Sequence, residues 1–106
     1  MAVDDSHIVI VTFEVEPGTQ AEALEKIGAY VGSFLSQQSG FVESFLHEGL
    51  DGKSIVHYAR WKSEADFKAA GEGARAHPDM PALMAYKPTG QGYRVWKTYY
   101  TTVRRS

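Results

Sequence analysis

Asp51-Gly52 lies between two runs of alternating apolar and polar residues, and this junction restricts the fold more than any other feature of the chain. Asp-Gly favours a tight hairpin, because such turns need a positive φ that glycine adopts without steric cost. The flanking runs, Phe41 to Gly49 and Ser54 to Trp61, therefore read as adjacent antiparallel strands.

The segments on either side extend the pattern. Residues 7–16, HIVIVTFEVE, are β-branched and aromatic, which predicts a first strand. Pro17-Gly18 turns the chain, and Thr19 with Glu22 has the spacing of a capping box. Leu24, Ile27, Val31, Phe34 and Leu35 then form one apolar helical face, which predicts a helix to about Gln38, closed by Ser39-Gly40. Gly28 and Gly32 weaken that helix by roughly 1 kcal/mol each relative to alanine, so they suggest close packing or room for a ligand. Ser63 and Asp66 repeat the capping pattern and open a second helix through about Arg75. Residues 76–92 hold three of the four prolines and read as loop with room for a short helical turn, and residues 93–103 read as a long final strand. The predicted order is β-α-β-β-α-β, a ferredoxin-like α+β domain with a four-stranded antiparallel sheet, spanning residues 1–106 as one unit. Apolar residues on both faces of the first and last strands, with helices enough for one face, predict that a second copy covers the other in a homodimer.

Composition excludes several classes. A net charge of −2 argues against nucleic acid as partner. The absence of cysteine removes disulfides, thiolate catalysis and thiolate metal sites, and fits a reducing cytoplasm. The longest apolar run, Ile8 to Val11, is too short for a membrane span, and the start MAVDDSH is unlike a signal peptide. The four histidines have no metal-ligand spacing, and GEGAR is not a phosphate-binding loop.

Chemistry-bearing residues concentrate in VHYARWKSEADF, residues 56–67. Side-chain alternation puts His57, Ala59 and Trp61 on one strand face together with Ile55, which assigns that face to the helices. A small Ala59 between an imidazole and an indole suggests a gap that could wall a pocket. Buried Trp and His are more commonly core residues with local partners, and spacing alone favours that reading. His77, in AHPD, is a second group able to titrate near neutrality, whereas His7 and His47 read as solvent-facing. Tyr30, Tyr86, Tyr93, Tyr99 and Tyr100 could line a cavity for a flat aromatic ligand, although any one of them is more commonly a core or interface residue, and Phe34 and Phe67 are candidate ring-stacking walls.

The segments VTFEVEPGT, SGFVESFLHEGLDG and IVHYARWKSEADFKA resemble the antibiotic biosynthesis monooxygenase family of the dimeric α+β barrel superfamily. The resemblance runs from His7 to about Arg75. It implies a pocket between sheet and helices and, closest in pattern, the oxygenases that oxidise anthrone-type phenols of polyketide pathways to quinones with O2 and no metal, haem or flavin. It also implies that Trp61 matches a strand tryptophan reaching into the pocket. His57 stands where those oxygenases carry an asparagine, and Phe67 where some carry a tyrosine. The haem-degrading branch carries a histidine ten residues past that tryptophan; here the position is Gly71, which disfavours that branch. The expected roles are proton transfer by His57, anion stabilisation by the Trp61 N–H, a second acid–base group in His77, and ring stacking by Tyr30, Phe34 and Phe67. A cofactor-free cyclase or isomerase would need the same pocket without O2, and a non-catalytic dimeric binding protein would use His57 and Trp61 as filler.

Overall fold

The computed structural model describes residues 5–103; residues 1–4, part of the acidic start, and 104–106 lie outside the described residues. Four strands and three helices follow in the order β1 (His7–Glu14), α1 (Gln20–Ser33), β2 (Phe41–Glu48), β3 (Ser54–Trp61), α2 (Glu64–Arg75), α3 (Met80–Met84) and β4 (Thr89–Arg94). The sheet order is β2-β3-β1-β4, with every neighbouring pair antiparallel, which is the ferredoxin-like arrangement expected.

β3 is flanked on both sides, by β1 and β2, so its alternation translates directly into burial. Ile55, His57, Ala59 and Trp61 are all buried, while Val56, Tyr58 and Arg60 are only partly covered. Opposite them on β1, Val9 pairs with Ala59, Val11 with His57 and Phe13 with Ile55, extending the same face beneath the helices. α1 adds Ala23, Ile27 and Tyr30, and α3 adds Leu83, to one buried cluster with Phe13 and Ile55. A second cluster joins Val9, Ala59, Trp61 and Ala70.

The two predicted caps behave differently. Ser63 has extended backbone (φ −155°, ψ 161°), and its Oγ accepts from the Asp66 N–H at 3.1 Å while donating to Asp66 Oδ2 at 2.9 Å. Thr19 has helical backbone (φ −109°, ψ 0°), which turns its hydroxyl away from the helix start. It donates back to the Glu16 carbonyl at 2.7 Å, so no capping box forms, and Glu22 pairs with Lys26 at 3.0 Å. α1 also stops earlier than expected. Phe34 (φ −123°, ψ −62°) breaks it, and a 3-10 turn, Leu35–Gln37, leads to Gly40, whose φ of +85° and close contact with the Asp66 side chain require glycine.

The last strand requires the largest correction. It is Thr89–Arg94 rather than 93–103, because β1 offers partners only from His7, opposite Arg94, to Thr12, opposite Thr89. Gly90 and Gly92 suit this edge: the Val11 and His7 side chains occupy the space beside them. β4 is exposed throughout in the single chain, as are Trp96, Tyr99, Tyr100 and Val103 beyond it. His7 is likewise not solvent-facing but half-buried, its ring 5.5 Å from that of Phe67.

Ser63→Ala is expected to lower stability by about 1 kcal/mol, the usual worth of an N-cap. Thr19→Ala, which removes only an exposed bond outside the helix, is expected to cost less than half of that. Urea unfolding of the two variants checks the contrast, and equal losses would contradict the cap assignment.

Candidate active site

The helices bridge the sheet incompletely and leave a cavity of about 230 Å³. Val11 and Phe13 of β1 and His57 of β3 make its floor. Tyr30, with Ile27 and Val31, lines it from α1, and Phe67, Ala70, Gly71 and Ala74 line it from α2. Met80 and Leu83 of α3 and Pro88 complete the walls. The volume exceeds the roughly 150 Å³ that holds benzene and lies just below the range of about 300–1,000 Å³ common for ligand sites. A larger cleft of about 340 Å³ lies where β1 ends, among Glu14, Glu16, Glu22, Tyr86 and Lys87. Its walls are an even mixture of polar and apolar surface, whereas the smaller cavity is almost wholly apolar, so the smaller one is the candidate site.

His57 is the exception in that apolar lining. It is 5% exposed, and its Nε2 has no hydrogen-bond partner among the described residues. Its cross-strand neighbours are Val11 and Leu46, which offer nothing polar from their side chains. Leaving a buried polar atom unpaired costs about 1–3 kcal/mol, so the position is poor for stability and marks a candidate functional group. Burial is the main cause that pushes the His57 pKa from its ordinary value near 6.5 down to about 4, with the charge of His47 adding to it. The imidazole is therefore neutral at neutral pH. Burial also raises the Tyr30 pKa, so that phenol keeps its proton.

The structure brings together three of the residues singled out in the sequence, His57, Tyr30 and Phe67, on the cavity wall. Trp61 is fully buried but stands behind the wall, with ring centroids 5.3 Å from Phe41 and 5.7 Å from Phe67. The expected gap beside Ala59 is filled by Val9, Trp61 and Ala70, and the opening falls instead on the other side of His57. His77 and Phe34 form an aromatic group behind Tyr30: His77 meets Tyr30 edge-on at 5.1 Å and Phe34 at 4.8 Å. His77 Nδ1 accepts from the Asp79 N–H at 3.0 Å, which leaves the proton of the neutral ring on Nε2. Tyr86 lies outside the cavity; it packs against the core edge, and its carbonyl accepts from the Glu14 N–H at 2.9 Å. The lining missed in the sequence is Met80, Leu83 and Pro88, from the proline-rich segment, and the small residues of α2. The i, i+3 spacing of Met80 and Leu83 was the signal available for the first group. Among the described residues, no group of three or more His, Asp or Glu side chains could hold a metal ion, and no helix is long and apolar enough to cross a membrane.

Sheet, helix layer and cavity define a ferredoxin-like domain with an enclosed, aromatic-walled site and one imidazole inside it. The chain belongs to the antibiotic biosynthesis monooxygenase family, whose model matches residues 6–77. Tetracenomycin-F1 monooxygenase of Streptomyces glaucescens is 32% identical over 74 residues, a stretch covering 70% of this chain and 66% of that protein. Among solved structures, a monooxygenase from the gene ActVA-Orf6 of Streptomyces coelicolor, in complex with nanaomycin D, superposes with a TM-score of 0.78 at 24% identity, covering 93% of this chain and 95% of the other. SnoaB of Streptomyces nogalater, a cofactor-independent oxygenase, superposes with a TM-score of 0.72 at 27% identity over 89% of this chain and 96% of its own.

Acid is expected to destabilise the fold through His57. Because the folded pKa is about 4 and the unfolded one near 6.5, the unfolded chain takes up the proton first, and stability falls as pH drops through that window. The full loss is about 3 kcal/mol. His57→Leu is expected to remove this component, so urea unfolding at pH 7 and pH 4 should show a smaller difference for the variant than for the parent; an equal difference would contradict the burial of a neutral imidazole.

Proposed function

We propose that this protein is a cofactor-independent monooxygenase that oxidises a polycyclic phenol of the anthrone type to a quinone with O2. The observation that carries the reading is the unpartnered buried imidazole of His57 in an otherwise apolar, aromatic cavity. Family membership and the cofactor independence of SnoaB support it.

Such a substrate supplies its own electrons. Neutral His57 accepts a proton from the ring CH2 or phenol, and the resulting anion passes one electron to O2. The radical pair combines to a peroxide, which takes back a proton and loses water, leaving a carbonyl where the CH2 stood. One oxygen atom ends in product and one in water. The protein contributes a dry cavity, a proton acceptor and stacking surfaces, with Tyr30 and Phe67 as the walls and Phe34 behind Tyr30. His77 is the second acid–base candidate, and Trp61 is assigned to holding Phe67 in place. The protein works in the reducing cytoplasm that a cysteine-free chain permits.

A homodimer belongs to this reading. The sheet face away from the helices carries Ile10, Phe45 and Tyr58, with Phe45 51% exposed, and Trp96, Tyr99 and Tyr100 after β4 are exposed as well. A second copy of the sheet covers both.

Metal-stripped protein is expected to consume O2 and form product from anthrone-like phenols. Product formed under argon would instead indicate a cyclase or isomerase, and no product in either atmosphere a binding protein. His57→Ala is expected to lower kcat by a factor of about 100 to 10,000 and to abolish the acid limb of the pH profile. Loss of that limb in His77→Ala, with a normal profile in His57→Ala, would move the base to His77. Trp61→Phe is expected to lower Tm more than turnover per folded enzyme. Light scattering at micromolar concentration is expected to give twice the chain mass; a monomer would contradict the dimer.

A further inference from the structure

Gly71 lies in the interior of α2, where glycine is among the poorest helix formers. Two structural reasons commonly account for such a glycine, and neither applies. Its φ is not positive, unlike those of Gly18, Gly40 and Gly52. Nor does another group press against it: a Cβ built there meets no heavy atom within 4 Å among the described residues. Gly73, two residues on, shows the contrast, since a Cβ there would come within 3.3 Å of the Phe34 ring. Gly71 borders the cavity that holds His57, so a side chain at this position would stand at the cavity wall.

We infer that Gly71 sets the size of substrate the cavity admits, by leaving a polycyclic ring system room against the small face that Ala70, Gly71 and Ala74 present from α2. The inference rests on reading this cavity as the substrate site. At roughly 30 Å³ per carbon group, comparable to the share of one water molecule, a methyl at position 71 would take about a tenth of the 230 Å³ and an isobutyl group about half. The helix itself would accept either, since both alanine and leucine favour it more than glycine does. Gly32 provides the control. It too is a helical glycine with open space around it, but it lies in the last turn of α1, exposed and outside the cavity lining.

The test compares Gly71→Ala, Gly71→Leu and Gly32→Leu with the parent in calorimetric binding of two size series: the phenols phenol, 2-naphthol and 2-anthrol, and the hydrocarbons benzene and naphthalene. Thermal melts confirm folding. Gly71→Leu is expected to weaken 2-anthrol binding at least tenfold relative to phenol, and naphthalene relative to benzene, with Gly71→Ala intermediate and Gly32→Leu unchanged. All variants are expected to melt no lower than the parent. Unchanged size ratios in a folded Gly71→Leu would overturn the inference, as would failure of the parent to bind either series. Should the hydrocarbon ratio shift while no phenol is turned over, the size role of Gly71 stands and the oxygenase reading falls.

Discussion

The pairing of β3 with strands on both of its edges governs everything else in this molecule. A strand hydrogen-bonded on two sides cannot slip by one residue without exchanging its faces. With Ile55, Ala59 and Trp61 on the helix side, His57 has to go there too. The imidazole is therefore buried by the register of the sheet, whatever that costs locally. Its neighbours across the strands are aliphatic, so the register that buries it also withholds a partner from Nε2.

The cavity arises from the opposite layer. α1 brings bulky residues, Ile27 and Tyr30, onto the β1 side, and they close the core over Phe13 and Ile55. α2 brings the small residues Ala70, Gly71 and Ala74, of which Ala70 packs on Val9 and Ala59 while none has a side chain large enough to fill the space over His57. Between the two helices the floor at His57 is left uncovered, and α3 with Pro88 roofs it. An apolar void lined this way loses dispersion contacts that a larger side chain would make, so it is a stability deficit concentrated at one place. Deficits of that kind, a void and an unpaired imidazole side by side, are what a site shaped for something other than folding looks like.

Much of this was legible in the residues, and the failures have definite causes. The Asp51-Gly52 turn and period-two alternation sufficed for the hairpin, and Ile55 shared parity with His57, so the buried face of β3 came out correctly. Alternation reports the face of a residue but not its height along the strand, and this is why Trp61 was assigned to the pocket although it packs behind Phe67. The final strand was misplaced because glycines are poor strand formers, so Gly90 and Gly92 read as loop while the aromatic run after them read as strand. What decided the matter was the length of β1, whose pairing partners run out at His7. Met80, Leu83 and Pro88 were passed over because a proline-rich segment carries weak periodicity, although it supplies part of the roof.

The low basicity of His57 looks at first like a poor property in a proton acceptor. Burial between the aliphatic neighbours Val11 and Leu46 disfavours the charged imidazolium and brings the His57 pKa down to about 4, a cost of roughly 3 kcal/mol. A substrate that gives up its proton becomes an anion beside the ring. Two unit charges about 4 Å apart attract by roughly 4 kcal/mol at an effective dielectric constant near 20. The two quantities are of the same size and opposite sign, so in the reaction we propose a phenolate beside the ring would restore the basicity that burial removes. On the proposed reaction, the imidazole would stay neutral until a phenol occupies the site and would act as a base in its presence. The apolar lining that weakens the free base would also shield the proposed substrate anion from hydration and keep its electrons available to O2.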